Sequence, residues 1–150
     1  MKYKKFTNSA DLICSIIVTY QAKVIEFTEI IKRHQDNFQQ IIIVNNTPEI
    51  DLSEFKSKQV ILINNPGNIG LSAALNIGIE TAKKVGFKMV ALFDQDTMIP
   101  ENFSQLMHKY INKHQGSKPV AVYSPVFHNH VINEASKHIT FKPFRLIRRE

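Results

Sequence analysis

The chain places two carboxylates one residue apart in Asp94-Gln95-Asp96, directly after the apolar run Met89-Val90-Ala91-Leu92-Phe93. A run that apolar belongs inside a sheet, so the acidic triplet is expected at a strand end. Carboxylates there can hold a hard divalent cation that also holds phosphates. Just upstream lies Asn65-Pro66-Gly67-Asn68-Ile69-Gly70-Leu71-Ser72-Ala73-Ala74-Leu75-Asn76-Ile77-Gly78. Residues Gly67 to Gly70 form a turn that lets backbone approach a ligand, and the helix that follows opens toward it with unpaired N–H groups. A diphosphate suits both ends of this arrangement.

The elements that must position these residues are legible as an alternation of strand-length apolar runs and helical periods, the signature of an α/β domain with a mainly parallel sheet. The expected strands are Ile13 to Thr19, Gln40 to Val44, Val60 to Ile63, Lys88 to Phe93 and Pro119 to Tyr123. Between the first two, Val24, Ile25, Phe27, Ile30 and Ile31 share one helical face. A second helix, from about Leu71 to Val85, has Gly86 as its C-terminal cap. Gly78 inside that helix costs about 1 kcal/mol relative to alanine, which close packing or ligand approach would explain. A third helix takes Pro100 as its first position and buries Phe103, Leu106, Met107, Tyr110 and Ile111. Polar clusters follow strands one, two and four, at the sheet edge where open parallel sheets bind ligands.

With 150 residues and 43% hydrophobic content, the chain is expected to form one domain, without repeats. No apolar stretch approaches the roughly 20 residues needed to span a bilayer, and Met1-Lys2-Tyr3-Lys4-Lys5 leads into polar sequence, so a cytoplasmic protein is expected. The single cysteine, Cys14, lies in an apolar run and reads as a buried small hydrophobe. The formal charge of +6 suits a polyanion, whether nucleic acid, membrane surface or phosphorylated small molecule. Much of the excess sits in Lys2, Lys4 and Lys5 and in Lys142-Pro143-Phe144-Arg145-Leu146-Ile147-Arg148-Arg149. For residues 126–150 a solvated basic tail is favoured over peripheral contact with the inner face of a membrane. No nucleic-acid-binding motif is present, so that partner rests on charge alone and is not expected.

Val18-Thr19-Tyr20, Ile41-Ile42-Ile43-Val44-Asn45-Asn46, the stretch Asn68 to Ile79, and Ala91-Leu92-Phe93-Asp94-Gln95-Asp96-Thr97 together resemble family 2 glycosyltransferases. The likeness runs from about Ile13 to Pro125 and is greatest to bacterial rhamnosyltransferases, which often carry Asp-Gln-Asp-Thr. It implies a GT-A nucleotide-diphosphosugar transferase-like, Rossmann-like three-layer sandwich and inverting transfer from an activated sugar to a saccharide acceptor. By this resemblance Thr19, Tyr20, Asn45 and Asn46 lie at the base pocket, and Asn68, Gly70 and Asn76 border the nucleotide. Asp94 approaches the ribose or sugar, and Asp96, with Asp94, ligates Mg2+ or Mn2+. The implied donor is dTDP-rhamnose-like or a UDP-sugar, and the implied setting is surface-polysaccharide assembly.

Two departures from the family pattern matter. Asn45 stands where relatives usually have an aspartate that accepts a hydrogen bond from the base. Relatives also continue for roughly another such stretch, which builds the acceptor site and supplies the base. Glu101 is expected in a helix's first turn, and Glu134 and Glu150 have no motif around them, so the catalytic residue is unknown. The alternative reading is a catalytically incompetent remnant or regulatory module that keeps the fold. If a missing half normally covers the sheet, an exposed apolar patch and self-association into a homo-oligomer are expected. His128 and His130 read as a polar loop, and His34, His108, His114 and His138 carry no usable pattern.

Overall fold

The computed structural model describes residues 13–114, 120–125, 128–129 and 134–135. The chain divides after His114 into two compact units. In the first, strands β1 (Ile13–Thr19), β2 (Ile41–Asn45), β3 (Val60–Asn64) and β4 (Met89–Asp94) form a parallel sheet in the order β3-β2-β1-β4. Every residue of β1 and β2 is buried. Isoleucine-rich runs of this kind form when both faces of a parallel sheet are covered, because no position alternates toward water.

Helix α2 (Leu71–Lys84) covers one face, where Cys14, Ile16 and Val18 meet Ile42, Val44, Ala74 and Ala82. A Cβ added at Gly78 would lie 2.6 Å from Ile16 Cγ2 and 3.5 Å from Val44 Cγ2. Close packing, not ligand approach, is therefore why a glycine sits mid-helix. The helix ends as expected: Gly86, at φ 99°, donates to Lys83 O, and Phe87 N–H donates to Ala82 O. These two bonds are the Schellman pattern, which only a left-handed residue permits without strain.

Helices α1 (Val24–Asn37) and α3 (Phe103–Lys113) belong to the other layer. The buried residues of α1 are Phe27, Ile30, Ile31 and His34, whereas Ile25 is 89% exposed. Ile25 thus lies off the face assigned to it, and His34 takes a core position that periodicity of apolar residues could not signal. The imidazole Nδ1 is 2.8 Å from Ser15 Oγ on β1. Its ring meets Phe93 edge-on and stacks on Phe38, and Phe103 joins the same aromatic cluster. Burial holds the His34 pKa down at about 4, with the Thr97 backbone a smaller influence in the opposite sense. Nε2 is buried and finds no hydrogen-bond partner among the described residues. A proton there would place a charge in the core, at a desolvation cost that the Thr97 backbone offsets only in part.

Helix α3 differs from expectation in start and facing. Pro100 precedes the helix, accepting a bond from Phe103 N–H, and Asn102 takes the N-cap position. The buried residues are Ser104, His108 and Ile111, while Leu106 and Tyr110 are each more than half exposed. Asn37 at the end of α1 explains this, because its amide donates to Pro100 O and accepts from Ser104 N–H. That clamp turns Ser104 inward, and His108 and Ile111 follow one and two turns later on the same face. Glu101 is not in the first helical turn; it pairs with Arg33 of α1 at 3.0 Å.

In the second unit, β5 (His128–Asn129) and β6 (Glu134–Ala135) pair antiparallel. Val120–Tyr123 are not a strand, since β-branched sequence makes one only when a ladder partner is present. Pro119, His130, Glu150, the lysines of the chain start and the basic segment 142–149 lie outside the described residues. Among the described residues no helix is long and apolar enough to cross a membrane.

Gly78→Ala should lower the unfolding free energy by about 1–2 kcal/mol in urea titration, because overpacking against Ile16 outweighs a helix-propensity gain of about 1 kcal/mol. His34 gives a pH dependence of defined sign. The unfolded chain protonates it below about 6.5 while the folded chain resists until about 4, so stability is full above pH 6.5 and falls as pH drops toward 4. The accumulated loss is about 3 kcal/mol. His34→Leu should remove the slope between pH 6.5 and 5 while lowering the whole curve.

Candidate functional site

Strands β2 and β3 lie on one side of β1 and β4 on the other, so strand order reverses between β1 and β4. At such a point the loops leaving the carboxyl ends part and leave a crevice. The last paired residues across three strands are Thr19, Asn45 and Asn64, in register. Thr19 Oγ1 donates to Asn45 Oδ1 at 3.1 Å, and Asn45 Nδ2 donates to Asn64 Oδ1 at 3.2 Å. Asn45 Oδ1 also accepts from Thr47 N–H, and Nδ2 also donates to Ile50 O. Both lone pairs and both amide hydrogens of Asn45 are thus engaged within the protein.

The next residues form a second polar tie. Asn65 Nδ2 donates to Asn46 Oδ1 at 2.8 Å, and Asn46 Nδ2 reaches Gly70 O at 3.4 Å. Asn68 Oδ1 accepts from Gly70 N–H at 2.9 Å. Gly70 itself sits at φ 84°, ψ 159°, a region open essentially to glycine alone, and it is the N-cap of α2, which has no side-chain cap. The first turn of α2 therefore begins beside the strand ends with N–H groups that no cap side chain occupies.

A cleft of about 310 Å³ opens at this edge. Val18 and Tyr20 from the end of β1 and Asp94 and Gln95 from the end of β4 line it, together with Asn46, Asn68, Gly70 and Leu71. Of the residues expected at a site, Tyr20, Asn46, Asn68, Gly70 and Asp94 come together here. Thr19 and Asn45 are buried behind the cleft surface and do not line it. Asn76 is exposed on α2, and Asp96 is exposed in the turn closed by Thr97 N–H to Asp94 O; neither is on the lining. Val18, Leu71 and Gln95 were not foreseen, although Gln95 sits inside the acidic triplet itself.

Asp94 is the carboxylate of the lining. Among the described residues no group of three or more His, Cys, Asp and Glu side chains could hold a metal ion. Two carboxylates on one loop suit a magnesium-like ion whose remaining ligands are phosphate oxygens and water. Asp94 lines the cleft and Asp96 is exposed beside it, so an ion held there would take its remaining ligands from the substrate and water.

The crevice at a strand-order reversal, beside a helix start, assigns this parallel sheet to the Rossmann-like α/β proteins that take nucleotides at that place. The chain's own lineage is narrower. Residues 14–150 match the family model of Glycosyl transferase family 2, and the chain belongs to that family. A comparison with the curated proteins finds no match. Membership defines the donor class as a nucleotide-sugar and the acceptor class as a saccharide, and the sheet and helices agree with a GT-A, Rossmann-like fold.

Asn45→Asp should be destabilising, although aspartate is the residue relatives usually carry at this position. The carboxylate would still accept from Thr19 and Thr47, and exposed Asn64 can turn its amide to donate. The Ile50 carbonyl would face it without a hydrogen, for a loss of about 1–3 kcal/mol in denaturant unfolding.

Proposed function

We propose that this domain holds a nucleoside diphosphate sugar in the cleft, with a divalent magnesium or manganese ion, for inverting sugar transfer of the rhamnosyltransferase kind in surface-polysaccharide assembly. The observation that carries the reading is the meeting of Asp94, Tyr20 and the Gly70 start of α2 around one cleft at the strand-order reversal. An aromatic ring there offers a face to a base, and helix N–H groups offer donors to a diphosphate.

In this reading Tyr20 and Asn46 border the base, Asn68 and Gly70 the diphosphate, and Asp94 the ribose or sugar. Asn76, on the exposed side of α2, stays a candidate for the outer nucleotide border. Asp96 and Asp94 would hold the ion, which supplies charge neutralisation of the leaving diphosphate. Thr19 and Asn45 serve the same pocket from behind, by fixing the strand ends that carry Tyr20 and Asn46.

A second reading is donor binding without transfer. It draws on the cleft having Asp94 as its carboxylate while Glu101 is paired to Arg33, so no general base is identified among the described residues. An inverting reaction needs one within hydrogen-bond reach of the acceptor hydroxyl.

Calorimetry with dTDP and UDP, with and without Mn2+, tests donor binding. Metal-dependent binding that weakens about tenfold or more in Asp96→Ala is the expected result. Binding indifferent to metal and to this substitution would remove the metal assignment, and no binding of either nucleotide would overturn the donor reading. Release of nucleotide from a sugar donor in the presence of acceptor separates transfer from binding alone.

A further inference from the structure

Gln95 stands between the two acidic residues, and its side chain is turned to the backbone of another strand's loop. Oε1 accepts from Tyr20 N–H at 2.8 Å, and Nε2 donates to Tyr20 C=O at 3.0 Å. A primary amide is a side chain that can offer an acceptor and a donor in one plane, so this is a two-point pairing with one residue's main chain. The β1–β4 ladder ends at Val18 and Asp94. Gln95 carries the cross-strand tie beyond it, through a side chain, to the residue where β1 has already turned away.

That turn needs holding. Gln21 has φ 51°, in the left-handed region that a side chain other than glycine enters at a cost. Its N–H donates to Thr47 Oγ1 at 2.8 Å, in the loop after β2. The segment 20–21 is thus fastened on one side to the β2 loop and on the other to the acidic loop of β4. Tyr20 held by this fastening is part of the cleft lining and is 48% exposed, so it has surface to offer a ligand.

We infer that Gln95 is a positioning residue for donor binding, its amide locking the Tyr20 backbone so that the ring is held as a wall of the cleft at a set place relative to Asp94. The inference rests on the reading that the cleft takes a nucleotide. It gives the middle residue of the triplet a task that neither carboxylate can perform, since a carboxylate has no hydrogen for the Tyr20 carbonyl.

The test is a double-mutant cycle in the full chain, using Gln95→Met, Tyr20→Ala and the double variant, with dTDP and UDP titrated in the presence of Mn2+. Amide hydrogen exchange at residue 20 is measured without nucleotide. The expected result has two parts. Gln95→Met speeds exchange of the Tyr20 amide about tenfold or more, since that N–H loses its partner. It also weakens nucleotide binding about fivefold to tenfold in the parent chain, but by less than about twofold in the Tyr20→Ala background. Gln95→Ala, which leaves no bulk in place of the amide, should give the same pattern.

A penalty of equal size in both backgrounds would mean that Gln95 acts on the ligand or the acidic pair directly, and would overturn the inference. Unchanged exchange at Tyr20 would overturn it as well. In both cases nucleotide binding by the parent chain would keep the donor reading intact, whereas a parent chain that binds neither nucleotide would remove both together.

Discussion

The Asn45 amide is the joint on which the carboxyl edge of the sheet depends. It sits in the last ladder row between Thr19 and Asn64 and uses all four of its hydrogen-bonding capacities on the two neighbouring strands and on Thr47 and Ile50 of the loop that follows β2. A buried polar group left unpaired is costly, so such a group either is satisfied completely or destabilises its surroundings. Complete satisfaction makes the strand ends act as one body. Asn46 and Asn65 then continue the tie one residue further, to the carbonyl of Gly70 where α2 begins.

Helix α2 reaches that point because of what lies beneath its middle. The absent side chain at Gly78 lets the helix approach Ile16 and Val44 closely. Its N-terminus is brought to the strand ends by a packing distance and an asparagine tie acting together. The edge of the cleft is thereby backed by hydrogen-bonded strand ends and a closely packed helix, with Tyr20 and Leu71 exposed upon it. Rigid backing of this kind is what holds a binding geometry without reordering when a ligand arrives.

The two faces of the sheet have different duties. The α2 face leads to the cleft through Val18 and Asp94, which are register partners. The opposite face holds the aromatic cluster of Phe38, Phe93 and Phe103 around His34, and the imidazole is bonded to Ser15 in the central strand. A buried neutral histidine there ties α1 to β1 and makes the core sensitive to acid. None of these aromatic residues lines the cleft, and they back β1 and β4 from the side opposite α2.

The amino-acid sequence by itself determined the four parallel strands and the three helices between and after them, and that the acidic triplet and the Asn-Pro-Gly turn stand at the carboxyl edge of the sheet. A run such as Ile41 to Val44 is stable between two covering layers, whereas Met89 to Phe93, expected in the sheet interior, forms the end strand of the described sheet with Leu92 48% exposed. In both, the polar residue that follows the run lies at the carboxyl edge. Gly70 and Gly86 were legible for a similar reason, since each answers a local backbone demand. Tertiary structure decided which polar residues line the cleft. Thr19 and Asn45 turn to each other because register aligns them, and Gln95 turns to Tyr20 because β4 is the neighbour of β1. It also decided that α3 buries Ser104 and His108 instead of Leu106 and Tyr110, through a clamp from Asn37 on a distant helix. Local periodicity reports how much apolar surface a segment has to bury; the direction of a polar side chain depends on a partner brought close only by the folded sheet.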